Sequence, residues 1–555
     1  MTPPDLLHPE PKRRLDARAL SQALVFAFAS GGDRDALDQL QDRALLEPSD
    51  FSPDCFARDL FVSDFVNRCT SFRIGARTFR PHEPRLTRLL SLPPANAEIV
   101  RFRQAVLSEL LEKPVLRERF EQSYVHLREL FTLLESSDSG KHFDPVARRL
   151  EILRASKRSI DALSEGFGDA ESGLARLGDF ARTVRESAAY ENLVQLLDHE
   201  GHLATVQVKL TLGYEGQLRG FEIVQASENT NNRYYVSPWR RLFTRLRLLF
   251  RGYHVRQAEV LGRLVNGVFD GVEPFVRDAF ELLSAFEFYL GALGFAELAR
   301  NAGLETCLPE LVERGDGASG FELTALYNPF LLLEEHAPRP CDVSAGCPGF
   351  VIVTGPNSGG KTRLLQAVGL AQLLAQSGFL VPAASAKLEL RQGLFVSIVD
   401  EVASDQREGR LGTELLRIRR LFEKLCVGGL VVLDELCSGT NPSEAEEIFR
   451  VVLELLAELE PQAFISTHFL HFAERLRDER PVPGLEFLQV ELDAEQHPTY
   501  RFVPGVATTS LARLTAERLG VTRESLRALV EAARRDRERT STPPSRSAPR
   551  AAQAG

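Results

Sequence analysis

Residues 351–362 read VIVTGPNSGGKT. A short apolar run, Val351-Ile352-Val353, has the pattern of a buried strand, and LLQAVGLAQLLA (364–375) after it has helical periodicity. Between them the spacing is GxxxxGK[ST], with Gly355 and Gly360 bracketing Pro356, Asn357, Ser358 and Gly359. Gly359 and Gly360 carry no Cβ, so the backbone N–H groups there can approach an anion closely. The pattern predicts that Lys361 reaches the β and γ phosphates of a nucleotide and that Thr362 ligates Mg²⁺. The competing reading is a ligand-free Gly-rich turn. The strand before the loop and the helix after it weigh against that.

Two further segments fit the same sheet. In GGLVVLDELCSGTN (428–441), four apolar residues end in Asp434-Glu435. A buried strand ending there delivers Asp434 to the sheet edge to hold Mg²⁺ through water, and Glu435 to orient or deprotonate an attacking water. Alone, such a run often marks only a strand end; about 70 residues after a P-loop it gains meaning. QAFISTHF (462–469) is a third, weaker run, after which His468 either contacts the γ-phosphate or is a satisfied structural histidine. Short apolar runs alternating with helical stretches predict a parallel sheet with crossover helices from about residue 305 onward.

The 555 residues exceed one ordinary core, so several domains are expected, and 44% apolar with 26% charged residues is a globular composition. A net charge of −10 argues against a chain coated in nucleic acid but leaves room for a local basic patch. The seven cysteines include no CxxC pair, which favours free thiols in a reducing compartment over a disulfide framework or zinc site. MTPPDLLHPEPKRR has no signal-peptide core, and no run of about 18 purely apolar residues is present, so no membrane span is expected and a cytoplasmic setting is the default.

Upstream of the sheet the pattern is helical. Residues 1–14 read as a loose start, and helical spacing with breaks follows from Leu15 to about Thr70. LTRLLSLPPANAEIVRFRQAVLSELLEKPVLRERF reads as helices split at Pro93-Pro94 and Pro114. Val206–Gln225 instead alternates, predicting a β-hairpin turning at 213–216 between two long helical arms. The expected division is an N-terminal helical segment (1–84), a helical core, lever and clamp (85–305, the clamp at about 203–255), a P-loop ATPase domain (306–534) and a disordered tail (535–555).

The ordered motifs resemble those of the MutS family of DNA mismatch-repair ATPases. TGPNSGGKT is similar to that family's P-loop, LVVLDELCSGTN to its second motif, and STHF (Ser466–Phe469) to its Thr-His-aromatic motif. LYNPFLLLE (Leu326–Glu334) and PGVATTSLARLTAERLGV (Pro504–Val521) resemble the segments that open and close the family's ATPase domain, and IVRFRQAVLSELL (Ile99–Leu111) the start of its helical core. The resemblance implies a multidomain α and α/β fold: a helical core and lever with a small β-containing clamp, then an ABC-type P-loop ATPase that forms a homodimer with shared ATP sites. It implies ATP and Mg²⁺ as ligands, and Glu435 and His468 as catalytic residues. Asp400–Ile418 stands where the family's subunit-crossing loop lies, but Gly409-Arg410-Leu411 replaces the usual Ser-Thr-Phe, so Arg407 and Arg410 are the candidates to reach a neighbour. The resemblance also implies an adenine-stacking aromatic between Asn328 and Val351, with His336 as a weak candidate. No Phe-x-Glu wedge motif precedes the core, which puts mismatch sensing by that route in doubt.

From Arg233 to Arg256 there are seven arginines and no acid, with Trp239, Leu242, Phe243, Leu246, Leu249 and Phe250 on one helical face. Arg233, Arg240, Arg241, Arg245 and Arg247 are candidate phosphate contacts to DNA, duplex or branched. A solvated basic face on a packed helix and a membrane-surface helix remain open as alternatives. The expectation is ATP-dependent DNA binding in mismatch repair or related repair and recombination. The alternative is a related ATPase acting on structured RNA, such as the ribosome, or on a protein assembly.

Overall fold

The computed structural model describes residues 3–32, 34–136, 145–202, 206–212, 218–226, 257–313, 320–334, 337–346, 348–398, 410–437, 441–508 and 521–541. Only the backbone is described at 145–146, 198–202, 206–212, 218–226, 257–264, 410–411 and 535–541. The basic segment 233–256, His336, Arg407 and Ser438–Thr440 lie outside the described residues, as does the side chain of Arg410.

The front of the chain is helical. Helices run over Ala17–Ser30, Arg34–Asp42, Val62–Cys69, Glu83–Ser91, Ala97–Glu112, Pro114–Glu135, Pro145–Gly166, Ala175–Arg185 and Ala188–His202. Pro114 sits at the first helical position, where its missing N–H is no loss, so it separates two helices as the sequence predicts. A small hairpin, β1 (Phe72–Ile74) with β2 (Arg77–Phe79), is inserted early. A division at 84/85 would cut the helix Glu83–Ser91.

The long helix Gln257–Asn301 is the spine of this region. Its aromatic residues interlock with the others: Phe286 stacks on Phe120 at 4.0 Å, and Phe295 and Phe288 meet Phe65 and Phe379 edge-on at 5.3 Å each. The portion Val265–Asn301 is long and apolar enough to cross a membrane by composition, although it carries scattered acids that interrupt any purely apolar run. Its most apolar window is 83% buried inside the protein, which is the behaviour of a core helix. Strands β3 (Val206–Leu212) and β4 (Leu218–Ala226) pair antiparallel, Val206 opposite Ala226, as the alternating pattern predicts.

The first residues differ from the loose start expected of a Pro-rich, charged segment. Leu6 and Leu7 are buried, Tyr289 Oη donates to the Leu6 carbonyl, and Arg176 donates to the Asp5 and His8 carbonyls at 2.9 and 2.8 Å. Arg14 closes on Asp5 at 2.9 Å. Charge that looks solvated in one dimension is here paired across the strap, and two leucines supply its apolar anchor. At the other end, helix Arg523–Ser541 runs into the stretch expected to be disordered, and residues 542–555 lie outside the described residues.

The C-terminal half is α/β. A four-stranded sheet combines β5 (Glu310–Val312), β6 (Gly320–Leu326), β7 (Cys341–Gly346) and β9 (Ser385–Glu389) in the order β5-β9-β6-β7. The larger sheet uses β8 (Gly349–Thr354), β10 (Leu394–Ser397), β11 (Leu430–Leu433), β12 (Gln462–Thr467), β13 (Leu485–Leu492) and β14 (Pro498–Pro504), in the order β10-β11-β12-β8-β13-β14. All pairs are parallel except β13–β14. Strands β8, β11 and β12 are buried along their whole length, which is why they read as continuous apolar runs.

Candidate functional site

Strand β8 ends at Thr354, and the loop to helix Lys361–Ser377 begins with Gly355 at φ 142° and ends with Gly360 at φ 89°. Both angles favour glycine. A Cβ on Gly355 would also lie 2.6 Å from Val490 of β13, so the loop is seated against its neighbouring strand. Lys361 folds back into the loop, where its Nζ donates to the carbonyls of Gly355 and Pro356 at 3.0 and 3.1 Å. It is 4% exposed. Burial lowers its pKa from the ordinary lysine value, against the opposing charges of Glu435 and Asp434. An ammonium so desolvated is under-compensated, and anionic oxygens in the loop would relieve it.

Asp434 follows β11, and β12 lies between β11 and β8. The register sets Leu433 opposite Ile465 and Ile465 opposite Ile352, so Asp434 and Ser466 stand level at the strand ends. Thr362 Oγ1 donates to Asp434 Oδ2 at 2.5 Å, and Ser466 Oγ donates to Asp434 Oδ1. The Glu435 N–H donates to Ser466 Oγ at 2.9 Å. Glu435 and Cys437 both have positive φ, 50° and 63°, a left-handed conformation that costs a non-glycine residue about 1–3 kcal/mol. The chain thus bends sharply where Glu435 enters the cleft. A hydroxyl and a carboxylate already in contact form the hard-oxygen donor set that suits Mg²⁺.

The cleft above the loop has a volume of 2080 Å³. Residues 356–362, Asp434 and Glu435 line it, opposite the Leu326–Leu331 segment and Tyr500. His468 does not line it; that ring, partly buried, packs against Phe469 at 4.3 Å. Three contributors have roles that no sequence motif assigns. Ser466 lies in STHF, but only the sheet order puts it beside Asp434. Asn328 ties the opening segment to the helix after the loop, donating to the Arg363 carbonyl at 3.0 Å and to Gln366 Oε1 at 2.8 Å. Tyr500, at φ 60°, brings its ring within 3.4 Å of where a Gly360 Cβ would stand. It lies outside the stretch in which an aromatic is expected, because β14 returns to the loop through an antiparallel hairpin. The closing segment is also fastened to the first motif: the Ala507 N–H donates to Thr354 Oγ1 at 2.9 Å.

Residues 351–534 match MutS domain V. The chain carries a MutS-type ATPase domain. Endonuclease MutS2 of Thermomicrobium roseum is 27% identical over 470 residues, covering 82% of this chain and 57% of that protein. Endonuclease MutS2 of Thermus thermophilus is 34% identical over 178 residues, 32% of this chain and 24% of that protein. The Fusobacterium nucleatum protein of the same name is 34% identical over 173 residues, 31% of this chain and 22% of that protein. The chain therefore spans about half the length, or less, of the curated relatives it matches. These likenesses overturn the expected assignment to DNA mismatch repair and DNA repair. The MutS-type ATPase domain is shared with that branch, but the relatives found are MutS2 proteins, whose similarity here extends beyond the ATPase domain to most of the chain.

Proposed function

We propose that this chain is an ATPase whose nucleotide cycle moves the helical region, and that its target is structured RNA, such as the ribosome, rather than mismatched DNA. The observation that carries the ATPase reading is the convergence of Lys361, Thr362, Asp434 and Glu435 on one cleft. In this reading the loop from Gly355 to Gly360 cradles phosphates with backbone N–H groups, and Lys361 turns from its two carbonyl partners to the β and γ oxygens. Thr362 and Asp434 would hold Mg²⁺, which would supply positive charge against the phosphates of the nucleotide. Glu435 orients the attacking water and takes its proton, while Ser466 holds Asp434 and the Glu435 backbone in place. His468 serves from outside the cleft lining as a structural neighbour or a late γ-phosphate contact. Tyr500 covers the nucleotide from the closing hairpin.

The target reading is supported by the likeness to MutS2 proteins and by the acid-free basic segment 233–256, which suits a phosphate backbone. The name endonuclease is that of proteins of which this chain matches about half or less. A homodimer is part of the proposal, supported by Leu526, Leu529 and Val530, which are 45, 65 and 53% exposed on one helix. So is a cytoplasmic setting, in keeping with free cysteines such as Cys69 and Cys437, whose thiols burial pushes up to about 12. The test compares ATPase stimulation and binding across ribosomes, structured RNA, and matched, mismatched and branched DNA duplexes at several salt concentrations. Stimulation by RNA or ribosomes with weaker response to every DNA is expected. A preference for any DNA, or indifference to all of them, would defeat the target reading.

A further inference from the structure

Arg363 has no part in the roles assigned so far, yet the fold places it with care. It is the third residue of helix Lys361–Ser377 and lines the cleft from an exposed position. Successive residues on a helix point about 100° apart. Thr362 meets Asp434 on the metal side, so Arg363 is turned away from that end. It meets Gln366 instead, to which its Nη1 donates at 3.1 Å. Gln366 is 2% exposed, and its Oε1 also accepts from Asn328, which is 4% exposed and donates to the Arg363 carbonyl as well. Asn328 is itself fixed, because its Oδ1 accepts from the Phe330 N–H at 3.0 Å. Two buried amides thus hold the root and one edge of an exposed guanidinium at the mouth of the phosphate loop. A surface arginine with only a solvated role needs no such scaffold; an arginine's planar fork suits phosphate oxygens when it is held in one orientation.

We propose that Arg363 is a nucleotide-binding residue that contacts the α-phosphate of a nucleoside di- or triphosphate, and that Gln366 and Asn328 are its positioning residues. The inference rests on the nucleotide-site reading above. The terminal phosphates belong to the Lys361–Asp434 end, and the nucleoside-proximal phosphate belongs to the end that Arg363 faces. ATP and ADP share that phosphate, so a contact to it cannot distinguish them, whereas a γ-phosphate contact would.

The experiment measures ATP and ADP affinity by calorimetry for the full chain, Arg363→Ala, Gln366→Leu and Lys361→Ala. Arg363→Ala should weaken both nucleotides by the same factor, about tenfold, the size of one charge-assisted hydrogen bond. The KM for ATP should rise by that factor with kcat held, because the contact is made equally in the ground and transition states. Gln366→Leu should give a smaller loss with the same ATP-to-ADP ratio and no further loss when combined with Arg363→Ala, whereas mere loosening of the fold would add to the loss. Wild-type affinity in Arg363→Ala, or a loss much larger for ATP than for ADP, overturns the proposal. Lys361→Ala separates the two readings: if it too binds both nucleotides normally, the nucleotide site itself has been misplaced, and if it alone loses them, only the Arg363 assignment fails.

Discussion

At the scale of single residues, Glu435 and Lys361 make opposite demands on the same cleft. Lys361 is a buried cation held by two carbonyls, and Glu435 sits in a left-handed backbone conformation on a loop that turns into the cleft. Both are poor choices for stability alone, and both are explained by what the cleft is to hold. Glu435→Gln keeps the size and the backbone but removes the proton acceptor. It should still bind ATP and should hydrolyse it on the order of 10²–10⁴-fold more slowly in single turnover. Lys361→Ala should instead lose the rise in unfolding temperature that ATP gives the native chain. Hydrolysis by Glu435→Gln at the native rate would remove it from the role of base. Both residues were legible in the sequence because each sits at a fixed offset from a motif. The role of Ser466 was not, although it lies in STHF, since its partner Asp434 comes from a different strand and only β-sheet register aligns them.

Among elements, helix Ala97–Glu112 shows how a charged side chain can join segments distant in sequence. Glu109 accepts from the backbone N–H groups of Glu171 and Ser172 at 2.8 and 2.9 Å, and from Lys113 Nζ at 3.0 Å. Burial alone would raise its pKa, but the hydrogen bonds from Ser172, Glu171 and Lys113 outweigh that and bring it down to about 2. A carboxylate so depressed stabilises the fold fully above its ordinary pKa of 4.5 and loses that contribution as pH falls from there to about 2. Glu109→Gln should therefore lower the unfolding temperature at pH 7 and flatten the acid limb of the stability curve over that window. An acid limb identical to the native one would show that Glu109 does not bear this link. Helical periodicity predicted the helix, but the partner loop at 171–172 has no pattern that names it.

For the whole molecule, the front of the chain and the ATPase domain are joined through the far end of the helix that follows the phosphate loop. Arg103 donates to the Leu7 carbonyl at 3.0 Å and to the Ser377 carbonyl at 2.9 Å, so it ties the N-terminal strap to that helix's last residue. The strap in turn meets the long helix through Arg13 with Asp278 and through the Arg14 N–H with Glu281. A displacement at the loop has a packed route to helix Gln257–Asn301. Exposed Leu526, Leu529 and Val530 lie on helix Arg523–Ser541 without cover from the described chain, and the proposed homodimer would cover them. Leu526→Asp with Val530→Asp should shift the protein to a monomer in sedimentation velocity while leaving its circular dichroism intact. An unchanged sedimentation coefficient, or a native chain that is already monomeric, would refute the interface.

The sequence by itself determined the P-loop, the strand that presents Asp434 and Glu435, the parallel character of the sheet, the helical front and the β3–β4 hairpin. Each is a local pattern: a spacing, a periodicity, or a run bounded by turn residues. Tertiary structure alone decided that residues 5–14 are a strap rather than a loose end, because the partners of Asp5, Arg13 and Arg14 are dispersed along the chain. It also decided that Tyr500 and Asn328 line the cleft and that Ser466 meets Asp434 beside it, since strand order and a hairpin bring them there from three separate segments. Contacts between distant segments depend on where the chain returns, and a one-dimensional pattern records only what each segment does before it meets the others.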